Sequence, residues 1–303
     1  MKKTTLYLCL LLSLPVAGQH VAVKDLYQVK LPNNQKMYHP SLSPDGKSLC
    51  ISALDYTGLE LIDLKTNEIE ILSEANGAGY KPKFLDSGVY FRQITFPNQK
   101  RHTRLYCFDG KKTEAVSQSL RSVSGFHINQ NAFSFSSDKQ LHKTPTKAKH
   151  LNATANAAVV SIEELKLTIY QSGKRTVITP NGENKRYLWA SFSPDNTKIV
   201  YNVAGEGTFV YSTQDKTSKR IGYINAPVWA GNDYVVGMED KDNGEYVTSS
   251  TICALHIATG KKDIISAPEH LIAMYPSATQ AGDKVAYHTE AGEVYIVTLT
   301  YSK

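Results

Sequence analysis

The sequence predicts an all-β protein folded as a six-bladed β-propeller. Two observations lead to this fold class: a hairpin pattern that recurs six times, and a strand-like segment at each end of the chain that lacks a partner of its own. No sustained apolar period of 3.6 residues appears, so few helices are expected.

The repeating unit is an apolar-alternating run, a turn rich in Asp, Asn or Gly, and a second alternating run, which is the pattern of a tight β-hairpin. The clearest copies are YHPSLSPDGKSLCIS from Tyr38, LWASFSPDNTKIVYN from Leu188 and MYPSATQAGDKVAYHT from Met274. Looser copies begin at Tyr80, Ser124 and Ala226. A third strand follows each hairpin. In the first five units, a polar turn such as KTNE or TGKK then leads to a fourth strand. Small sheets repeated in this way are typical of a propeller.

The two ends of the chain predict how the ring closes. The sixth unit stops after its third strand, Glu293 to Thr300, whereas the strand-like segment Asp25 to Leu31 precedes the first hairpin. Pairing these two segments completes the sixth sheet and removes an exposed edge. The prediction is therefore six four-stranded antiparallel blades, closed by the N-terminal strand in the last blade. Five or seven blades are the alternatives, because the third unit is irregular.

The SPDGK and SPDNTK hairpins, with the TGKK-like turns that follow, resemble the WD-like repeats of TolB-type β-propeller proteins. They also resemble the propellers of prolyl-oligopeptidase-like enzymes. The resemblance is clearest in the first, fourth and sixth units and covers nearly all of the chain after its leader. It favours a binding role in the bacterial envelope. Neither the α/β domain of TolB-like proteins nor a peptidase catalytic domain is expected here.

The first 18 residues have the pattern of a secretory signal peptide. Lys2 and Lys3 precede an apolar stretch from Leu6 to Ala17, which is too short to span a bilayer. An uncleaved anchor is the alternative. Residues 19–303 are predicted to form a single propeller domain without a further membrane span, in the periplasm or otherwise exported. The formal net charge of +6 is modest for 303 residues, so nucleic acid is not an expected partner.

No cofactor, metal site or catalytic group is predicted. The Gly-x-Ser-x-Gly motif is absent, and no His-x-x-x-His spacing occurs. Asp240 and Asp242 resemble part of a calcium loop, but Lys241 stands at a ligand position. Cys50, Cys107 and Cys253 lie in alternating segments at wide spacings, which indicates buried core residues rather than disulfides, metal ligands or redox groups.

Antiparallel connectivity places the loops between second and third strands at one end of the propeller, together with the links between blades. We call this end the top face. Three long loops are predicted there: Thr95 to Thr103, Asp138 to Val160 and Glu239 to Ser250. Their charges are unequal, with basic residues on blades two and three and acidic residues on blade five, an arrangement that can orient a charged partner. The alternative is that these charges only keep the loops soluble.

Aligned positions near the start of the innermost strands hold His39, Lys81, Trp189, Ala226 and Tyr275. Rings with polar tips grip sugars or peptides, but they also pack between blades. The candidate ligand-binding residues at the channel mouth and in the top loops are His39, Tyr80, Lys81, Arg101, His102, Arg104, Lys143, Tyr187, Trp189, Asp240, Asp242 and Tyr275.

Two functional hypotheses follow. The first is an exported, non-catalytic, monomeric scaffold that binds an envelope protein or peptide at the top face and channel mouth. The second is a protein that binds or cleaves acidic polysaccharide, with a Tyr, His or Lys at the channel as base. Because some lyases use similar propellers, the second hypothesis rests on analogy of fold.

Overall fold

A computed structural model describes residues 20–85, 88–123, 125–129, 132–144, 158–266 and 272–302. For residues 125–129, 132–133 and 143–144 it describes the backbone alone, and the predicted leader lies outside the described residues. The strands in chain order are β1 (Val21–Gln28), β2 (Tyr38–Leu42), β3 (Ser48–Ser52), β4 (Leu59–Asp63), β5 (Ile69–Ser73), β6 (Lys83–Leu85), β7 (Gly88–Thr95), β8 (His102–Phe108), β9 (Thr113–Ala115), β10 (Gly125–Asn129), β11 (Ala132–Ser137), β12 (Gln140–Thr144), β13 (Val159–Glu163), β14 (Lys166–Gln171), β15 (Lys174–Ile178), β16 (Tyr187–Phe192), β17 (Lys198–Val203), β18 (Gly207–Ser212), β19 (Ser218–Gly222), β20 (Asn225–Ala230), β21 (Tyr234–Asp242), β22 (Val247–His256), β23 (Lys262–Ile264), β24 (Ala273–Ala278), β25 (Lys284–Thr289) and β26 (Val294–Tyr301).

Helices are almost absent from this part of the chain. Two single 3₁₀ turns occur, at Pro32–Asn34 and Pro97–Gln99. Among the residues that the structure describes, no helix has the length and apolar character needed to cross a membrane.

The all-β fold is confirmed as a β-propeller of antiparallel blades, and five of the described sheets have four strands. In chain order, we name the sheets as follows: sheet 1 (β2–β5), sheet 2 (β6–β9), sheet 3 (β10–β12), sheet 4 (β13–β15), sheet 5 (β16–β19), sheet 6 (β20–β23) and sheet 7 (β24–β26 with β1).

The predicted closure of the ring is also confirmed. Strand β1 pairs antiparallel with β26, so that Leu26 lies opposite Val297 and Tyr27 opposite Ile296. The strand begins at Val21, earlier than expected, and a register shift between Val23 and Asp25 interrupts the ladder. The N-terminal strand therefore supplies the outer strand of the last sheet.

The third predicted unit differs from the expectation. Five predicted units are present as four-stranded sheets, but the segment from Gly125 to Ile178 forms two three-stranded sheets, sheets 3 and 4, so the described chain contains seven sheets. The predicted loop Asp138 to Val160 is likewise corrected, because β12 and the start of β13 lie within it and residues 145–157 fall outside the described residues.

Two glycine-free turns explain this difference. Asp138 and Lys139 have φ values of 51° and 62°, and Glu164 and Leu165 have 50° and 61°. Positive φ at both central residues is the geometry of a two-residue hairpin turn, for which Asn-Gly or Asp-Gly is the usual signal. Without glycine, these two hairpins were not recognised in the sequence.

A shared hydrogen bond shapes the turns of the three clearest repeats. A hydroxyl at the end of the innermost strand donates to the carboxylate of the turn aspartate, in Ser43–Asp45 (2.7 Å), Ser193–Asp195 (2.6 Å) and Thr279–Asp283 (2.6 Å). Such side-chain bonds hold the backbone in the turn. They explain why the SPD pattern marks these hairpins.

The hydrophobic core lies between neighbouring sheets. One cluster joins sheets 6 and 7 and includes Val236, Ile252 and Tyr287, all with no measurable exposure. Another joins sheets 7 and 1 around Leu49 and Ile296. Each blade is thus stabilised by its neighbours, as expected for a propeller.

Candidate binding site at the channel mouth

The five aligned positions of the innermost strands share an unusual backbone conformation. Their φ values are positive in every case: His39 (54°), Lys81 (52°), Trp189 (51°), Ala226 (46°) and Tyr275 (48°). In sheets 1, 5, 6 and 7, the pairing of the first two strands shifts register across this position. A left-handed non-glycine residue is uncommon and marks a β-bulge here. The same bulge therefore bends the chain in four sheets, and in sheet 2 Lys81 has the same conformation just before β6.

Five rings form a continuous row across sheets 7, 1 and 2. The His39 imidazole stacks on Tyr56, with centroids 3.9 Å apart and an angle of 22°. Tyr56 meets Tyr80 edge to face at 5.1 Å, and His39 meets Tyr275 at 5.5 Å. Tyr275 in turn stacks on His288 at 5.7 Å. The predicted residues His39, Tyr80 and Tyr275 are thus brought into one cluster.

Both imidazoles of this row are neutral at pH 7. His39 Nε2 donates to the carbonyl oxygen of Leu54 (2.9 Å), and His288 Nδ1 donates to that of Thr289 (3.0 Å). Burial lowers the pKa of His39. Burial also lowers the pKa of His288, to about 4, and the nearby His39 makes a smaller contribution to that shift. Burial likewise raises the pKa of Tyr56 to about 12.

A pocket of about 660 Å³ opens beside this row, between sheets 1 and 2. It is lined by residues of the top loop of sheet 1, of the link to sheet 2, of β7 and of the loop that follows β7: Asp55, Tyr56, Thr57, Asn76, Gly77, Tyr80, Arg92, Ile94, Phe96, Arg101 and Val123. Its volume is within the range of small-molecule and peptide-anchor sites.

Two guanidinium groups give the pocket its charge. Arg92 is only 4% exposed, and its guanidinium lies 4.8 Å from the centroid of the Tyr80 ring. Burial is the main reason that the pKa of Arg92 falls to about 10, and the nearby charge of Arg101 adds to the fall. Arg92 nevertheless remains charged at neutral pH. Both guanidinium groups line the pocket and carry a positive charge there.

Asp55 is the acidic residue among the described lining residues. Its carboxylate accepts hydrogen bonds from the Thr57 backbone N–H and hydroxyl, both at 3.0 Å. These bonds lower the pKa of Asp55, so the group stays ionised. With Arg92 and Arg101 opposite one carboxylate, the pocket keeps an excess of positive charge.

Two candidates on blade two lie apart from the pocket. His102 is the first residue of β8, and its Nδ1 lies 3.0 Å from the Ser119 hydroxyl. Arg104, also in β8, donates through Nε to the carbonyl of Ser117 (3.1 Å). Both side chains therefore point toward the segment after the outer strand β9. The predicted loop is shorter than expected and runs from 96 to 101.

Three other candidates are placed in strands. Lys143 lies in β12 opposite Ser134 rather than in a loop, and its side chain is outside the described part. Tyr187 is fully buried, and its hydroxyl donates to the Gly182 carbonyl (3.1 Å), which makes it a packing residue. Trp189 is half-buried at its bulge in sheet 5.

The acidic residues of the predicted fifth blade, which is sheet 6 of the structure, lie in a long hairpin rather than in a long loop. Asp240 and Asp242 belong to β21, and only residues 243–246 form the turn. Asp240 is half-buried, accepts a hydrogen bond from Asn225 Nδ2 (2.8 Å), and has a pKa raised chiefly by burial. Asp242 accepts from the Gly244 N–H (2.9 Å). Within the described ranges, no group of three or more His, Cys, Asp or Glu side chains is placed to hold a metal ion.

Sequence reasoning missed Tyr56, Lys83 and Arg92. A signal existed for Arg92, because it follows Val89, Tyr90 and Phe91 in an apolar strand where a buried arginine is unusual. Tyr56 sits in a short loop with no repeat signature. Lys83 follows an aligned position by two residues and was not aligned itself.

No known protein-family model matches the chain, and a comparison with curated proteins gave no match either. The TolB-type resemblance therefore stays a prediction. The fold and the site define a coarser class, a β-propeller with a basic, ring-lined pocket between sheets 1 and 2.

Proposed function

We propose that this protein is an exported, non-catalytic binding module whose top face holds an acidic segment of another envelope protein. The observation that carries the proposal is a pocket lined by Arg92, Arg101 and Tyr80, in which the Arg92 guanidinium lies 4.8 Å from the centroid of the Tyr80 ring. Guanidinium groups bind carboxylates through paired hydrogen bonds, and these are strengthened where water is partly excluded.

The rim of the pocket supports a peptide as the ligand. Phe96, which lines the pocket, is 57% exposed, and Leu54, which precedes the lining residue Asp55, is 61% exposed. Apolar side chains next to a charged pocket fit a segment in which acidic and apolar residues are neighbours. A peptide anchors its carboxylate in the pocket and places an apolar side chain on the rim.

Export rests on the leader of residues 1–18, whose pattern is that of a signal peptide. We propose a periplasmic or otherwise exported location in a bacterial envelope. A monomer is the proposed state, since the closing strand β1 covers the edge of β26 that would otherwise pair with another chain.

One observation favours a second candidate, the binding or cleavage of acidic polysaccharide. Neutral His39 stacks on Tyr56, and Tyr56 lines the same pocket as the arginines that would neutralise a uronate carboxylate. A neutral imidazole near a neutralised carboxylate is the arrangement needed to remove a proton from the adjacent carbon. This candidate predicts the appearance of unsaturated products from uronate oligomers.

The test compares two arginine variants of the same blade. Arg101→Gln removes a pocket guanidinium, whereas Arg104→Gln removes one that bonds to Ser117 outside the pocket. The probe is a fluorescent peptide of alternating glutamate and phenylalanine, with its glutamine counterpart as the uncharged control. We expect Arg101→Gln to weaken binding of the acidic peptide about tenfold or more and Arg104→Gln to leave it unchanged.

Uronate oligomers are tested in parallel. Binding of the acidic peptide without binding of the oligomers supports the first function. Binding or cleavage of oligomers that depends on Arg101, without peptide binding, supports the second. Equal weakening by both variants contradicts the assignment of the pocket.

A further inference from the structure

Lys81 and Lys83 lie next to the pocket at the start of the innermost strand of sheet 2. Their side chains are exposed, whereas Pro82 between them is buried, so the two lysines share one side of the chain. Lys81, in a left-handed conformation, precedes β6, and Lys83 is the first residue of that strand, so the two Cα atoms are at most about 7 Å apart. Two ammonium groups are thus presented from neighbouring positions at the start of β6.

Neither ammonium group has an acidic partner within the described ranges. The ion pairs found there involve other lysines, and no hydrogen bond from Lys81 or Lys83 side chains is recorded there. Exposed lysines on a protein surface usually have a carboxylate nearby or reach into bulk water. No carboxylate of the described residues therefore compensates the charge of these two lysines.

The pKa values of both lysines are lowered. Loss of hydration lowers the pKa of Lys83 to about 8, and Lys81 contributes to the fall. The pKa of Lys81 is lowered by loss of hydration and by Arg92. Exposure together with loss of hydration is typical of a side chain that reaches water between walls of protein rather than bulk solvent.

Lys81 and Arg92 lie against the same ring, because Lys81 Nζ is 5.7 Å and the Arg92 guanidinium 4.8 Å from the centroid of Tyr80. The four cations also affect one another: Arg101 lowers the pKa of Arg92, Arg92 lowers that of Lys81, and Lys81 lowers that of Lys83. Positive charge therefore extends from the pocket to the start of β6. Like charges held this close oppose one another, and an anion bound between them relieves that repulsion.

We infer that Lys81 and Lys83 form a second anion-binding site inside the channel mouth, which takes a carboxylate or phosphate group. This goes beyond the proposed function, because the site is separate from the pocket arginines and accepts a small anion while the pocket is empty. A ligand with several anionic groups occupies both sites at once, with its inner group at the lysines.

The test measures the binding of inorganic phosphate and of citrate to the full mature chain by calorimetry. Lys83→Gln removes one ammonium group, Lys83→Arg keeps the charge, and Lys65→Gln removes an exposed lysine from the β4–β5 turn at the opposite end. We expect Lys83→Gln to weaken both anions about tenfold, and the other two variants to bind within about twofold of the native chain. Equal binding by all four proteins overturns the inference.

The two probes separate the sources of the anion. Tighter binding of citrate points to carboxylates of a peptide or glycan, and tighter binding of phosphate points to a phosphorylated ligand. If citrate binds through Lys83 while the glutamate–phenylalanine peptide does not bind, the proposed function fails and the second site stands. If the peptide binds and no variant of Lys83 changes anion binding, the proposed function stands and the second anion-binding site is contradicted.

A measurement on the unaltered protein provides an independent check. An amine reagent at pH 8 should modify Lys83 faster than Lys65, because a lowered pKa leaves more neutral amine. We expect saturating phosphate to protect Lys83 and not Lys65, as read by mass spectrometry of the digested chain. Modification of Lys83 that phosphate does not slow contradicts the inference.

Discussion

The imidazole rings of His39 and His288 meet at an angle of 75°, with their centroids 5.2 Å apart. His39 belongs to β2 of sheet 1 and His288 to β25 of sheet 7, so this contact lies where the first and last blades of the ring meet. His288 is 1% exposed, and its Nε2 has no hydrogen-bond partner among the described residues. A proton on that nitrogen would be buried without a counter-charge.

The first prediction is a loss of stability in mild acid. The pKa of His288 is about 4 in the folded protein and roughly 6.5 in the unfolded chain, so the unfolded state takes up the proton first as the pH falls. The free energy of unfolding should therefore fall between pH 6.5 and 4, by about 3 kcal/mol from this group. At pH 7 the free energy of unfolding of His288→Phe should be about 1 kcal/mol lower than that of the native chain. Between pH 6.5 and 4 the free energy of unfolding of this variant should fall less steeply. Urea unfolding at both pH values measures this, and parallel curves for the two proteins would contradict it.

The second prediction concerns the left-handed bulge. Ala226 has a φ of 46°, where a side chain costs about 1 kcal/mol that glycine avoids. Ala226→Gly should therefore leave the free energy of unfolding unchanged or raise it by up to about 1 kcal/mol. Ala230→Gly, in the same strand and 2% exposed, should lower it by about 1 to 2 kcal/mol. Equal destabilisation by both changes would show that the bulge is not strained.

The third prediction concerns the shared turn bond. The Ser43 hydroxyl donates to Asp45 and accepts from the backbone N–H groups of Lys47 (3.1 Å) and Ser48 (2.9 Å). Ser43→Ala leaves these donors without that acceptor and should cost about 1 to 2 kcal/mol in urea unfolding. Ser48→Ala is the matched control and should cost less than about 0.5 kcal/mol. If Ser48→Ala lowers the free energy of unfolding as much as Ser43→Ala does, the Ser43 hydrogen bonds are not the source of the stability.

The fourth prediction concerns the closing strand. A chain without residues 20–31 should unfold less cooperatively, because β26 loses its partner and Val297 becomes accessible. A synthetic peptide of those residues should bind the shortened chain and restore cooperative unfolding, as measured by circular dichroism during heating. The same peptide with Leu26→Asp places a charge opposite Val297 and should restore little. Full cooperativity of the shortened chain without any peptide would contradict the role of β1.

Much of the fold could be predicted because its signals are local and repeated. Alternation of apolar residues and the turn sequences predicted five of the sheets. The segment around Leu26 could be assigned to the last sheet because the last repeat lacked a fourth strand. Sheets 3 and 4 were not separated, since Asp138–Lys139 and Glu164–Leu165 turn without glycine. A turn stabilised by its surroundings rather than by its own residue preferences leaves little mark on the sequence.

The site was predicted only in part. His39, Tyr80, Lys81 and Tyr275 could be placed together because the repeats align them, and Arg101 lies in a loop that the connectivity puts on the same end. His102 and Arg104 were assigned to the same surface but bond to the outer side of their blade. Arg92 reaches the pocket from the second strand, and only the packing of sheet 1 against sheet 2 reveals it.

The pairing of β1 with β26 also determines when this protein can finish folding. Among the described strands, β1 is synthesised first and its partner β26 last. The ring therefore cannot close until β26 has been synthesised. Until then sheet 7 lacks its outer strand, and the incomplete molecule stays loose and vulnerable to proteases. Closure of the ring is thus a late step in the folding of the whole molecule.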